Sequence, residues 1–119
     1  MQDAERIVQA QLDAYNARDA VRLAAIYADD AQLYAWPATP TVHGTAAITA
    51  RYATRFADPD VHARLLSRMV MGDTVVDHEI VRMRFEDGPG DVEMLCIYEV
   101  AHGRIARATF KTGPRVTKA

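Results

Sequence analysis

The sequence predicts an α+β fold in which three N-terminal helices pack on a strongly curved, mainly antiparallel sheet that encloses a cone-shaped cavity. Apolar residues recur at helical spacing in the first half of the chain, and polar and apolar residues alternate in the second half. Short turn sequences such as Gly72-Asp73 and His102-Gly103 separate the alternating runs. We expect the 119 residues to form one domain, 1–119, with a frayed tail at 113–119.

Each of the three helices is predicted from an apolar stripe and from a signal at its start. Asp19 is placed to cap the second helix by accepting a backbone N–H bond. Gly44-Thr45 begins the third helix, in which Arg51 and Arg55 fall toward the side opposite the apolar stripe. The stripes consist, in chain order, of Ile7, Val8, Leu12 and Tyr15, of Leu23, Ile26 and Tyr27, and of Ile48, Tyr52 and Phe56.

The remaining elements are predicted strands. A short strand over 31–36 is closed by Pro37 and Pro40, which cannot donate to a ladder. Four longer strands follow over 61–71, 74–85, 92–101 and 105–112, separated by turn sequences. Consecutive antiparallel strands of this kind curl around the helices, so a pocket follows from the architecture.

Ionisable residues occupy one face of the hairpin formed by the predicted strands 61–71 and 74–85. Because its turn holds only two residues, Arg68 faces Asp77 across the ladder, and Glu79 lies on the same face. Two interpretations stay open from the residues alone. This face lines the cavity and carries its chemistry, or it faces solvent or a dimer partner while Val76 and Ile80 turn inward. Hydrophobicity alone favours the second, because burying three charged groups costs several kcal/mol per ion unless they pair well.

Composition excludes several classes of function. A formal net charge of -2 without clustered basic residues argues against nucleic-acid binding. The chain has no signal-peptide pattern and no apolar run long enough to span a membrane, so we expect a cytoplasmic protein. Cys96 is the only cysteine and the four histidines are scattered, so we expect no disulfide, no metal site and no cofactor.

Five segments, in order along the chain, carry a resemblance to a known family: residues 15–19 (YNARD), 26–31 (IYADDA), 43–48 (HGTAAI), 97–100 (IYEV) and 103–105 (GRI). From Ile7 to Phe110 the chain resembles the nuclear-transport-factor-two-like superfamily, in particular its ketosteroid isomerase and polyketide cyclase (SnoaL-like) branch. The resemblance implies a cystatin-like α+β barrel with a ligand cavity.

The residues that carry ketosteroid isomerase chemistry in this family are mostly absent. The position of the general base, an Asp before a Pro, is held by Ala35 or Trp36. The oxyanion-hole Tyr and Asp align with Gln11 and Cys96, and only the supporting Tyr of the third helix has a counterpart, Tyr52. Steroid isomerase activity is therefore not expected.

Limonene-epoxide hydrolases share this fold and use an Arg-x-Asp pair and a further Asp. The matching positions are Glu79, Val81 and Phe110, so that triad is absent as well. Both comparisons nevertheless imply that Glu79 points into the cavity, and by strand parity Asp77 and Arg68 do too. The resemblance thus favours the cavity interpretation of the charged face.

We predict that Glu79, Asp77 and Arg68 form the catalytic group. In an apolar cavity a carboxylate loses hydration and its pKa rises, which suits Glu79 to act as a proton-transfer base. Asp77 and Arg68 would set its charge state. The hydroxyl of Tyr52 or Tyr15 would donate to a developing oxyanion.

Aromatic and β-strand side chains are the predicted ligand contacts. Trp36 would form a wall on which a flat ligand stacks, or a plug that fills the cavity, and Phe56 would help to position the ligand. The last hairpin admits two registers, of which we choose the one that points Met94, Cys96 and Tyr98 inward over the one that points Leu95, Ile97 and Glu99 inward.

The predicted function is that of a small-molecule-binding protein, an isomerase, cyclase or lyase type of enzyme acting on a small apolar carbonyl compound. The alternative is a non-catalytic ligand-binding or dimeric assembly domain. In either case we expect a homodimer that forms through the outer face of the sheet, where His78 would contribute a hydrogen bond.

Overall fold

The computed structural model describes residues 3–116 and confirms the predicted fold class. Three helices pack on a curved six-stranded sheet that is antiparallel except for one pair of strands. The elements are α1 (Asp3–Asn16), α2 (Ala20–Ile26), β1 (Tyr27–Ala35), β2 (Thr39–His43), α3 (Thr45–Phe56), β3 (His62–Met71), β4 (Thr74–Phe85), β5 (Gly88–Ala101) and β6 (Arg104–Arg115).

The helices begin where the sequence predicts and bury most of the predicted stripes, but α2 ends at Ile26, so Tyr27 belongs to β1 and not to the second helix. The side chain of Asp19 accepts a hydrogen bond from the backbone N–H of Arg22 at 3.0 Å, which caps α2. Gly44 precedes α3 with φ 88°, a conformation that strongly favours glycine. Val8, Leu12 and Tyr15 of α1 and Ile48 and Tyr52 of α3 are buried against the sheet. No helix within residues 3–116 is long and apolar enough to cross a membrane.

The strands lie in the order β2-β1-β6-β5-β4-β3. The last four strands form an antiparallel meander, and β1 pairs with β6 in parallel. The turn between β5 and β6 places His102 at φ 54° and Gly103 at φ 79°, as a two-residue type I′ hairpin turn requires. This connectivity curls the sheet around α1 and α3.

The β3–β4 hairpin has the predicted register. Arg68 is opposite Asp77, and a bulge between Leu65 and Ser67 then places Leu65 opposite Glu79. Asp77 and Glu79 are 0% and 4% exposed. The charged face of this hairpin is therefore the concave, helix-covered one.

The sequence misplaced the start of β1 and did not predict β2. The observed β1 begins at Tyr27, and β2 pairs with it although prolines were expected to end the sheet there. Pro40 is tolerated because β2 lies at the edge of the sheet, where a missing N–H donor leaves no ladder bond broken.

The last hairpin is longer than predicted. β5 begins at Gly88, and β6 continues through Arg115, so the expected fraying of 113–119 is wrong for its first three residues. Arg115 pairs with Val92, and the N–H of Val116 donates to the carbonyl oxygen of Asp91 at 2.8 Å. Residues 117–119 lie outside the described part of the chain.

One side chain fixes α1 to the edge strand β3. Asn16 donates from Nδ2 to the carbonyl oxygen of Ala63 at 2.9 Å and accepts from the N–H of Ala63 at 2.8 Å. These two bonds satisfy the unpaired edge of β3 much as another strand would. They hold the end of α1 next to Ala63, which lines the cavity described below.

Candidate functional site

A cavity of about 280 Å³ lies between α1, α3 and the concave face of the sheet. This volume is at the lower end of the range of about 300–1,000 Å³ typical of ligand pockets, so the cavity suits a small compound. Most of its wall is apolar and includes Leu12, Leu33, Val81, Met83 and Val92.

Glu79 is the acidic residue of this wall, and its two oxygens have different surroundings. Oε1 accepts a hydrogen bond from Sγ of Cys96 at 3.7 Å. Oε2 is buried and has no hydrogen-bond partner among residues 3–116. The pKa of Glu79 is raised from 4.5 to about 7, mainly by burial and in addition by the charge of Asp77, while Cys96 and Arg68 oppose the rise. Glu79 can therefore gain or lose a proton near neutral pH.

Arg68 and Asp77 form a buried ion pair next to Glu79. Nε of Arg68 donates to Oδ1 of Asp77 at 2.7 Å, and Nη2 donates to Oδ2 at 3.0 Å. Nη1 donates to Oε1 of Gln9 on α1 at 2.8 Å. Unlike Glu79, neither residue lines the cavity, because α1 covers the pair. The expectation that all three charged groups face the open cavity is thus corrected for Arg68 and Asp77.

Two of the three predicted helix aromatics line the cavity. Tyr15 and Tyr52 contribute to its wall, whereas Phe56 does not. The Phe56 ring packs behind them, with its centroid 5.2 Å from that of Tyr15 and 5.7 Å from that of Tyr52. Phe56 therefore supports the two tyrosines instead of contacting a ligand.

The hydroxyl of Tyr15 is held by an arginine of α3. Nη1 of Arg55 donates to the Tyr15 hydroxyl oxygen at 3.4 Å. Because that oxygen is the acceptor, its own hydrogen remains available for a ligand. Burial raises the pKa of Tyr15 above 10.0, although Arg55 lowers it in part, so the hydroxyl stays protonated at neutral pH.

The β5 residues of the chosen register, Met94, Cys96 and Tyr98, lie in the cavity wall. The Tyr98 hydroxyl donates to Oε1 of Gln11 at 3.2 Å, and both side chains are buried. This bond fixes the orientation of the Gln11 amide at the base of the cavity.

Trp36 is outside the cavity, contrary to the prediction. Its side chain is 48% exposed, and Nζ of Lys111 lies 5.3 Å from the ring centroid. The neighbouring Ala35 lines the cavity instead. Trp36 follows the last residue of β1, Ala35, at the point where the chain leaves the strand. Trp36 neither walls the cavity nor fills it.

The sequence model of the SnoaL-like domain family matches residues 8–108. The chain belongs to the SnoaL-like domain family. No curated protein sequence matches it.

Solved structures similar to this SnoaL-like chain share its fold. An uncharacterized cystatin fold protein from Novosphingobium aromaticivorans has 26% sequence identity and a TM-score of 0.79, over 92% of this chain and 97% of that one. A protein with ketosteroid isomerase-like fold from Catenulispora acidiphila, solved in complex with trimethylamine, has 18% identity and a TM-score of 0.75, over 87% and 82%. An LEH-like epoxide hydrolase of M. tuberculosis has 17% identity and a TM-score of 0.77, over 92% and 82%. At these identities the last two show the fold alone.

The positions aligned with the isomerase residues come together in this SnoaL-like chain although their chemistry differs. Ala35, Gln11, Cys96 and Tyr52 all line the cavity. The positions aligned with the epoxide hydrolase triad, Glu79, Val81 and Phe110, line it as well. The cavity thus brings together the positions that the resemblance aligned with the two catalytic sites, with Glu79 as the acidic residue of its wall.

Two wall residues were assigned to the wrong side of α3. Arg51 and Arg55 line the cavity, although they were expected to point away from the apolar stripe. Both flank Tyr52 and Phe56 on the helix, and a long side chain can extend along the helix surface to the cavity opening. The sequence signal that could have placed them together is their spacing of four residues, which puts them on one face of the helix.

No group of three or more His, Cys, Asp or Glu that could hold a metal occurs within residues 3–116.

Proposed function

We propose that this SnoaL-like protein is an enzyme of isomerase, cyclase or lyase type that acts on a small, largely apolar carbonyl compound, with Glu79 as general base. The observation that carries the proposal is the unpartnered Oε2 of Glu79 in an apolar cavity. Buried carboxylate oxygens are normally hydrogen-bonded, so an unpartnered one in a cavity wall is a candidate functional group.

The proposed step is removal of a proton from the carbon next to the substrate carbonyl. Oε2 of Glu79 takes the proton, and the electron pair of the C–H bond moves toward the carbonyl oxygen to give an enolate. The Tyr15 hydroxyl donates to that oxygen, since its own acceptor position is used by Arg55. In an isomerisation Glu79 then returns the proton to another carbon. In a cyclisation the enolate carbon attacks a second carbonyl of the same substrate, and Glu79 returns the proton to the alkoxide oxygen formed there. In an elimination the C–O bond at the β carbon breaks, and the departing oxygen takes the proton from Glu79.

Asp77 and Arg68 act on this step through Glu79. The carboxylate of Asp77 raises the pKa of Glu79, and the Arg68 guanidinium lowers it. A base whose pKa lies near the working pH combines a useful ionised fraction with a strong affinity for the proton. We therefore propose that the ion pair tunes Glu79 without contacting substrate.

The proposal is tested by proton exchange, which needs no knowledge of the product. Cyclohexanone, 1-indanone and 2-tetralone are incubated with the protein in D₂O, and loss of their α-proton signals is followed by NMR. We expect Glu79→Gln to slow the protein-catalysed exchange at least about a hundredfold, the lower end of what general bases contribute, while ketone binding persists.

The matched control is Glu93→Gln, because Glu93 lies on the outer face of β5 and pairs there with His78 at 2.5 Å. This variant should exchange protons at the unaltered rate. Equal rates in the Glu79→Gln variant and the unaltered protein would contradict the proposal, as would the absence of catalysed exchange with all three ketones. Trp36 is exposed and outside the cavity wall, which argues only against the form of the non-catalytic alternative in which Trp36 fills the cavity.

We also propose that the protein forms a homodimer through the outer face of its sheet. Met69 and Met71 of β3 are 71% and 80% exposed on that face. The strand register continues from Met69 through Val76 to Ile97, which gives an apolar row across three strands. Covering such a row with a second copy removes apolar surface from water.

A further inference from the structure

We infer that the substrate carries a carboxylate in addition to its apolar body, and that Arg51 and Arg55 bind this carboxylate at the opening of the cavity. The inference deepens the proposed function and rests on it in taking the cavity as the substrate site. It specifies a second recognition group that is separate from the proton-transfer group.

The two arginines line the same cavity. They are four residues apart on α3, so they lie on one face of the helix. Both line the cavity; Arg51 is exposed and Arg55 is half-buried. Arg55 reaches inward far enough to donate to the Tyr15 hydroxyl, which also lines the cavity. The pair therefore extends from the opening toward the reacting groups.

Neither arginine has a carboxylate partner within residues 3–116. The acid closest in sequence to α3 is Asp58, whose carboxylate accepts the backbone N–H groups of Asp60 at 2.9 Å and Arg84 at 2.7 Å. It interacts electrostatically with Arg55 but forms no ion pair with it. Most of the donors on the two guanidinium groups thus remain available to a ligand.

The charge of the cavity wall favours an anion at this end. Glu79 is the only acidic residue among the described residues of the wall, which also contains Arg51 and Arg55 and is otherwise largely apolar. A cleft with unbalanced positive charge and low-dielectric walls concentrates anions at its opening. A guanidinium group presents paired N–H donors that match the two oxygens of a carboxylate.

Arginines elsewhere in the chain show that exposure alone does not make such a site. Arg22 on α2 and Arg64 on β3 are also exposed and form no ion pair within the described residues, but neither lines a cavity. What distinguishes Arg51 and Arg55 is their common position on the rim of an apolar pocket. Arg22→Gln is accordingly a matched control, since it removes the same charge from another helix.

The test compares probes that differ only in charge. Benzoate, trans-cinnamate and 2-naphthoate are each paired with the neutral amide of the same shape, and affinities are measured by calorimetry or ligand-observed NMR. We expect at least one carboxylate to bind about tenfold or more tightly than its amide, because charge-assisted hydrogen bonds are about twice as strong as neutral ones. Arg51→Gln and Arg55→Gln should each weaken carboxylate binding about tenfold and leave amide binding unchanged, whereas Arg22→Gln should change neither.

Three results would overturn the inference: equal affinity for acid and amide, equal loss of both in the arginine variants, or no binding by any acid. Phenyl phosphate is tested beside benzoate, and tighter binding of the phosphate would overturn the assignment to a carboxylate. The proposed base can fail separately. If Glu79→Gln leaves proton exchange unchanged while the arginine variants lose carboxylate binding, the charge recognition stands and the base does not.

Discussion

At the scale of single residues, the two carboxylate oxygens of Glu79 have different roles. Cys96 donates to Oε1 and so limits rotation of the carboxylate, while Oε2 has no partner among the described residues. Cys96 is itself 3% exposed, and burial raises the pKa of its thiol, so it stays a protonated donor. A neutral thiol can orient the base without pairing its charge as strongly as an arginine would.

The raised pKa of Glu79 predicts a specific dependence of stability on pH. Between pH 4.5 and about 7 the unfolded chain releases the Glu79 proton while the folded chain keeps it, so the free energy of unfolding falls as pH rises. The full loss above that window is roughly 3 kcal/mol. Glu79→Gln lacks this loss, so its stability relative to the unaltered protein should rise by roughly 3 kcal/mol between pH 4.5 and pH 8.

Urea denaturation of both proteins at the two pH values measures this difference. Glu86→Gln, in the exposed turn between β4 and β5, is the matched control and should show no comparable change. If the difference in free energy of unfolding between the Glu79→Gln variant and the unaltered protein did not depend on pH, the raised pKa of Glu79 would be contradicted.

Residue-level reasoning from sequence succeeded where strand parity determines direction and failed where side-chain length determines it. The register of a two-residue turn was enough to place Asp77 and Glu79 on one face, but the resemblance to the family was needed to choose that face as the one that the structure buries. Parity could not choose between Ala35 and Trp36, because the end of β1 was known only to within a residue. Helical spacing gave the side of α3 from which the Arg51 side chain starts, but not the position of its guanidinium group, because the side chain is long and flexible.

At the scale of elements, the Arg68–Asp77 pair joins β3 to β4, and Gln9 ties it to α1. The side chains of Arg68 and Asp77 are 8% and 0% exposed. Removing one partner of a buried pair leaves the other charge without compensation, which costs about 3–5 kcal/mol. We expect Arg68→Met to lower the free energy of unfolding by about that amount, as measured by urea denaturation at pH 7.

The matched control breaks a pair of the same type near the surface. Arg82 and Asp91 face each other across β4 and β5 with Nη1 and Oδ1 3.2 Å apart, and the Arg82 side chain is 43% exposed. Arg82→Met should change stability by less than about 1 kcal/mol. Similar losses in both variants would show that Arg68 contributes as a surface residue does. Adding Asp77→Leu to Arg68→Met should recover part of the loss, because the uncompensated charge is removed.

The elements themselves were largely predictable, and the exceptions have local causes. Apolar stripes and the Asp19 cap placed the helices, and turn residues placed the meander. The missed strand β2 carries Pro40, which is compatible with an edge position but not with a central strand. An edge position is a property of the assembled sheet, so the sequence of that segment could not reveal it.

At the scale of the whole molecule, the two faces of the sheet separate ligand binding from assembly. The concave face lines the cavity, and the convex face carries the apolar row from Met69 to Ile97. Alternation along each strand gives the two faces independent sets of side chains. A partner on the convex face would therefore leave the cavity opening, with Arg51 and Arg55, accessible to substrate.

The dimer proposal predicts that charge on the convex face prevents assembly without unfolding the chain. We expect the unaltered protein to elute as a dimer in size-exclusion chromatography with light scattering, and the Met69→Glu, Met71→Glu double variant to elute as a monomer. In the dimer, the introduced carboxylates would face one another across a desolvated interface without a compensating charge. In the single chain both positions are exposed and tolerate charge.

Val21→Glu is the control, because Val21 is 72% exposed on α2, away from this face, and should leave the dimer intact. Circular dichroism of all three proteins verifies that each is folded. A dimeric double variant would place the assembly surface elsewhere, and a monomeric unaltered protein would exclude the dimer.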